Sequence, residues 1–315
     1  MSKPLSYRWI GGLLLCLWVF SAAEAVTRNG FLLDGATVPM DDILRGGPPR
    51  DSIPAIDQPK YIASSAADFL TDADRILGIE IAGEARAFPI KILDWHEIVN
   101  DRIADQAVMI SYCPLCGTGM AFSAQVGERE LQFGVSGLLY QSDVLFYDRE
   151  TESLWSQIMG QAVSGELRGQ SLTGLPVFHT SWADWRERYP HTLVLSTETG
   201  FSRDYTRSPY AGYTETRRLY FRVNHKAPAT YHPKEQVMGL TIGETFKAYP
   251  FSELAKHGQT AFEDTVAGKK ITVHWDDTAR SAYVTDATGQ TLVTTVSFWF
   301  AWFTFHPETA VYKAS

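Results

Sequence analysis

The stretch RILGIEIAGEARAFPIKIL, from Arg75, aligns without gaps on QVMGLTIGETFKAYPFSEL, from Gln236. Gly78 falls on Gly239, Ile81 on Ile242, Ala87 on Ala248, Pro89 on Pro250 and Leu93 on Leu254. Self-similarity of this kind reads as internal duplication, and two copies imply paired modules rather than a solenoid. The match continues from VMISYCPLCGTGMAF onto ITVHWDDTARSAYV, and both copies read strand, tight turn, strand. Alternation in Ile271, Val273 and Trp275, with Asp276-Asp277 as the turn, fixes the register. Cys113 then falls on Asp276 and Cys116 on Ala279, so both cysteines belong to a hairpin tip, as half a metal site or as an exposed redox pair.

The expected class is mainly β with a few short helices, a β-rich α+β chain of two related β modules. The first module runs over 26–201, a Tyr-, Arg-, Pro- and Gly-containing link over 202–235, and a shorter cysteine-free module over 236–315. Helical spacing is present in SSAADFLTDA from Ser64, KILDWHEIV from Lys91 and SWADWRERY from Ser181, the last with Ser181 as cap and Pro190 as stop. RGGPPRDSIPAID, from Arg45 to Asp57, reads as a loop.

Lys3 and Arg8, the apolar run Trp9 to Phe20 and then Ala23-Glu24-Ala25 form a secretory leader over residues 1–25. The run is too short for a membrane anchor, so export to the periplasm or the extracellular space is expected. The chain carries a net charge of −8 with no Lys/Arg cluster, which disfavours nucleic acid and anionic membranes as partners. The partners left open are a small molecule or a protein. Of three cysteines, Cys16 lies in the leader, which leaves Cys113 and Cys116 in a compartment that favours disulfides.

Three chemistries suit that pair. A structural disulfide over so short a loop removes on the order of 2 kcal/mol of unfolded-state entropy. The second module builds the matching hairpin from Asp276 and Ala279, so the scaffold does not require the bridge. Thioredoxin-like redox chemistry needs a helix N-terminus to stabilise the thiolate, and Gly117-Thr118-Gly119 argues against a helix; a labile disulfide on the turn remains open. Cys-Pro-x-Cys-Gly also resembles the knuckle of rubredoxins and zinc ribbons, which is half of a four-ligand site. His96 is the nearest candidate to complete it, with His179, His225 and His232 farther off. With Met120 or Met159 nearby, copper(I) is as reasonable as zinc.

Other signals are weaker. HEIVN lacks the second histidine of a zinc-protease helix. The run SGLLYQSDVLFYDRETESLWSQ concentrates Asp143, Asp148, Glu150 and Glu152, which read as solvated turn and strand-edge charges; FTFHPET, with Glu308-Thr309, echoes Glu150-Thr151 and favours a structural turn. A hydrolase using Asp143 or Asp148 is a further reading. A nucleophile elbow, a phosphate loop, a dinucleotide fingerprint and a haem attachment motif are all missing from the sequence. Whether the chain is an enzyme is left open.

Taken together, GGPPRDSIPAID, DWHEIVND, SYCPLCGTGMAF, SGLLYQSDVLFYDRETESLW, SPYAGY and HPKEQVMGL resemble the prokaryotic family called domain of unknown function 3179. That resemblance implies an exported prokaryotic protein and transfers no catalytic residue. The leading expectation is metal binding, of zinc or copper, or thiol redox chemistry at Cys113 and Cys116. The alternative is a non-catalytic ligand- or protein-binding β module, its aromatic side chains lining a groove and its cysteines a structural disulfide.

Overall fold

The computed structural model describes residue 1 and residues 25–314; the predicted leader and Cys16 lie outside the described residues apart from their ends. The fold is mostly β with four short helices, as expected. Among the described residues no helix is long and apolar enough to cross a membrane.

The strands that position the site are, in chain order, β1 (Ile43–Arg45), β2 (Tyr61–Ala63), β3 (Arg75–Ile81) and β4 (Glu84–Pro89), followed by helix α1 (Ile90–His96). Next come β5 (Ile98–Ile103), β6 (Gln106–Cys113), β7 (Thr118–Ser123), β8 (Phe133–Tyr140), β9 (Asp143–Asp148), β10 (Leu154–Ser156) and β11 (Gln161–Ser164). Strand β12 (Phe178–Ser181), helix α2 (Trp182–Arg188) and β13 (Leu193–Leu195) close the first half. The second half runs β14 (Gln236–Ile242), β15 (Thr245–Pro250), α3 (Phe251–His257), β16 (Ala261–Val266), β17 (Lys269–Asp276), β18 (Ser281–Asp286), β19 (Thr294–Phe298), α4 (Trp299–Phe305) and β20 (Ala310–Val311).

The two aligned stretches fold alike. β3 and β4 pair from Ile76 with Pro89 to Ile81 with Glu84, and β14 and β15 from Val237 with Pro250 to Ile242 with Thr245. Each hairpin leads directly into a seven-residue helix, α1 or α3. A Cβ on Gly78 would overlap the Trp185 ring, and one on Gly239 the Trp302 ring, so the same glycine lets an indole lie on the same strand. Both indoles donate to a threonine, Trp185 Nε1 to Thr192 Oγ1 at 3.0 Å and Trp302 Nε1 to Thr309 Oγ1 at 2.9 Å. These bonds place PET of residues 307–309 opposite PHT of residues 190–192, which corrects the supposed echo of Glu150-Thr151.

The sheets do not stop between the halves. One runs β20-β15-β14-β19-β7-β6-β5, joined where Gly119 on β7 pairs with Val296 on β19. A second runs β12-β3-β4-β13-β2, a third β11-β10-β9-β8-β1, and β16-β17-β18 form a three-stranded sheet. Between Leu195 and Gln236 there is no strand or helix. A segment this long without regular structure is uncommon in a packed fold and is often functional.

Two helix expectations need correction. SSAADFLTDA forms only a 3-10 turn at Ser64–Ala66. Its later backbone groups bond outward instead: the carbonyls of Asp72 and Asp74 accept from Ala183 and Trp182, and Lys91 Nζ takes the Phe69 carbonyl at 3.2 Å. KILDWHEIV is helical only to His96, because Glu97 turns left-handed and Ile98 already pairs in β5. The helix from Ser181 forms as expected, with Ser181 Oγ accepting the Asp184 N–H at 3.3 Å.

Candidate metal centre

Cys113 ends β6 and pairs with Thr118, which opens β7; Cys116 lies in the four-residue turn between them. Gly117 carries φ +60, and a Cβ there would meet the Phe298 ring at 2.7 Å, so both backbone and packing require glycine. The tip is therefore a hairpin turn, as the register predicted. It is not open to solvent, however: Cys113 is 2% exposed and Cys116 0%. Phe298 donates its N–H to the Cys116 carbonyl at 2.7 Å, which docks the tip on the start of α4.

A second hairpin meets the first. β8 and β9 are joined by Gln141 and Ser142, with φ +55 and +68, a two-residue turn built without glycine and hence under strain. The Ser142 carbonyl accepts the Cys116 thiol at 3.2 Å, and the next residue is Asp143. Ligand atoms of Cys113, Cys116 and Asp143 all lie within 4.8 Å of one another, and the cysteines are unbridged. Two thiols and a carboxylate, all buried, form a group that could hold a metal ion.

The long 196–235 segment covers this group. Tyr213 packs in the same apolar cluster as both cysteines, Leu115, Phe298 and Phe300. Tyr210 OH lies 3.4 Å from Glu97 Oε1, Ser208 Oγ donates to Asp94 at 2.6 Å, and Trp95 Nε1 donates to the Arg207 carbonyl at 2.9 Å. Lys234 anchors the cover: its buried Nζ donates to the carbonyls of Tyr213, Thr216 and Arg218 at 2.6, 2.6 and 2.8 Å.

The electrostatics follow from burial without compensating charge. Burial pushes the Asp143 carboxyl up to about 7, opposed only in part by the backbone N–H groups and the two thiols beside it. Its Oδ2 takes the Ile158 N–H at 3.1 Å, while Oδ1 is buried with no partner. Burial likewise lifts Glu97 to about 8, with the charges of Asp94 and Asp143 adding to it, and Asp94 to about 6. Both thiols rise above the ordinary cysteine value, chiefly through burial. Orphaned buried polar atoms are rare and need an explanation; Tyr213 OH, Ser142 Oγ and Gln157 Oε1 share the condition of Asp143 Oδ1.

Of the residues singled out from sequence, the structure brings together the two cysteines and adds Asp143. His96 stands apart, its Nδ1 2.8 Å from the Pro54 carbonyl and its Nε2 2.7 Å from Tyr205 OH. His179 Nε2 accepts the Gly119 N–H at 3.1 Å, His232 Nδ1 accepts the Lys234 N–H at 3.2 Å, and the His225 side chain is exposed. Met120 and Met159 line a separate cleft of about 570 Å³ with Phe122, Tyr140, Trp302 and His306.

Asp143 and Asp148 are not solvated charges; both are fully buried. Asp148 is spent on structure, accepting the Thr151 N–H and hydroxyl and the Trp155 indole at 2.6, 2.7 and 2.9 Å. Asp143 is the candidate site residue that sequence reasoning misread. A signal was present, because DVLFYD carries an acid at each end of a run that is apolar and aromatic between them.

The family described as "Protein of unknown function (DUF3179)" matches residues 50–295. The chain belongs to that family. Comparisons with curated proteins and with solved structures give no match. Five of the six family-like motifs of this DUF3179 chain supply residues at or over the buried group, GGPPRDSIPAID being the exception. DWHEIVND supplies Asp94 and Glu97, SYCPLCGTGMAF the thiols, SGLLYQSDVLFYDRETESLW Asp143, SPYAGY Ser208, Tyr210 and Tyr213, and HPKEQVMGL Lys234.

Proposed function

We propose that this DUF3179 protein is an exported metal-binding protein whose ion sits on Cys113, Cys116 and Asp143. The observation that carries the reading is the buried, partnerless Asp143 Oδ1 beside two unbridged thiols. A cation gives that oxygen a partner and converts both thiols to thiolates, which burial otherwise opposes. Zinc suits a set of two sulfurs and one oxygen better than copper(I), which prefers sulfur alone. Export rests on the leader-like residues 1–25.

The raised thiols count against nucleophilic redox chemistry, which needs the thiolate, and among the described residues no cation is paired with either sulfur. Their proximity equally suits a disulfide, which is the alternative reading. Protein produced in the periplasm and purified without chelator separates the two by elemental analysis and thiol counting. One ion per chain with two free thiols is expected, lost in Cys113→Ser and in Cys116→Ser. Ion-free protein under both reducing and oxidising conditions sinks the metal reading.

A further inference from the structure

We propose that Glu97 belongs to this centre and holds the water molecule that completes the ion's coordination, a step that rests on the metal reading above. Glu97 ends α1 in the left-handed region, at φ +59 and ψ −27, and is 7% exposed. A side chain there is strained, and a helix commonly ends on glycine at such a position. The second half supplies that default: α3 ends on Gly258, at φ +72. Asp94, three residues earlier, likewise corresponds to Ala255.

The fold therefore closes this helix comfortably with glycine, and the first half carries a buried, strained carboxylate in its place. Among the described residues no lysine or arginine pairs with Glu97, and its one side-chain bond is from Tyr210, on the cover over the thiols. Its backbone carbonyl accepts the N–H of Tyr112, the neighbour of Cys113, at 2.8 Å, yet its carboxyl stands outside the compact group that Cys113, Cys116 and Asp143 form. Three protein ligands leave a tetrahedral ion one position short, and a carboxylate just beyond the ligands is placed to accept a hydrogen bond from water there. The buried and partnerless Asp143 Oδ1 is the independent sign that the group is built for a ligand. This makes the centre an exchangeable, water-binding one rather than a closed structural site.

Cobalt(II) is the probe, added to the reduced, metal-free full-length mature chain. The parent is expected to show sulfur-to-cobalt charge transfer and the d–d bands of four-coordination. In Glu97→Gln and Glu97→Gly the charge-transfer band should persist, the d–d envelope shift, and affinity fall roughly 10- to 100-fold. Metal-free Glu97→Gly should melt at the parental temperature or higher. Parental affinity and spectrum in Glu97→Gln overturn the inference, and so does a lowered melting temperature in metal-free Glu97→Gly, which would mark Glu97 as part of the fold. Either result with a cobalt-binding parent leaves the three-ligand site standing; a parent that binds no cobalt removes both readings.

Discussion

The β6–β7 and β17–β18 hairpins share a register and differ in what surrounds their tips. Cys113 pairs with Thr118 as Asp276 pairs with Ser281, and Cys116 stands where Ala279 does. In the second tip Asp276 Oδ1 accepts the Ala279 N–H at 2.8 Å, and Asp277 and Thr278 face solvent. In the first, every residue from Cys113 to Met120 is buried. The same hairpin thus gives an ordinary turn in one place and a candidate metal centre in the other. What makes the difference is outside the hairpin: Asp143 from the strained β8–β9 turn, Glu97 and Asp94 from α1, and the cover tied down by Lys234.

The largest effect is expected from giving the first tip the residues of the second. Cys113→Asp with Cys116→Ala removes both sulfurs, so ion binding should disappear. It also puts a third carboxylate into the buried space already holding Asp143 and Glu97, whereas Asp276 is partly exposed. Destabilisation of at least about 3 kcal/mol is expected from urea unfolding of the metal-free protein. The reverse graft, Asp276→Cys with Ala279→Cys, should cost only about 1 kcal/mol, for the lost turn bond. It should bind no ion at parental strength and react faster with thiol reagents than Cys113 and Cys116. Parental affinity at the grafted tip would mean that two cysteines on this turn suffice, and the cover and acids would lose their assigned role.

The acids also give the first half a dependence on pH that the matching positions of the second half lack. An unfolded chain has ionised Asp143 and Glu97 well below pH 6.5, while the folded metal-free protein keeps their protons up to about 7 and about 8. The folded state then binds more protons, so stability should fall as pH rises from 6.5 to 8.5, by at most about 1.4 kcal/mol per pH unit for each group. His179 and His306, both lowered to about 4 by burial, give the opposite slope, but only below their ordinary value of 6.5. Ala255 and Gly258 add nothing. Urea midpoints of the reduced, metal-free protein at three pH values test this, and Asp143→Asn with Glu97→Gln should flatten the profile. A flat parental profile would show that these carboxyls titrate normally.

Much of this architecture was legible because it is local. Alternation fixed the paired hairpins, Ser181 marked a helix start, and the match of Cys113 to Asp276 placed the thiols on a turn. Burial of that turn was not legible, because it depends on a 196–235 segment with no periodicity and on strands from both halves. Asp143 was hidden by the acids that follow it, since Asp148, Glu150 and Glu152 make the whole run look solvated. Glu97 had a readable signal, as the alignment sets it against Gly258. His96 looked like the nearest ligand because it is near in sequence, whereas α1 turns its ring toward Pro54 and Tyr205.

The smallest expected effect tests where the halves are alike. Trp185 and Trp302 each fill the space left by a strand glycine and each donate to a threonine seven residues on. Replacing that threonine with valine keeps its shape and leaves the indole N–H without an acceptor. Thr192 is 1% exposed, so Thr192→Val should cost about 1 to 2 kcal/mol, because water cannot replace the lost oxygen. Thr309 is only partly buried, and Thr309→Val should cost roughly half as much, since water can reach the indole. Neither change touches the thiols or acids, so cobalt affinity should stay parental in both. If Thr309→Val proves the more damaging, the indole of α4 is sealed more tightly than that of α2. The likeness of the two helix seats would then end at their backbone, as the likeness of the two hairpin tips does.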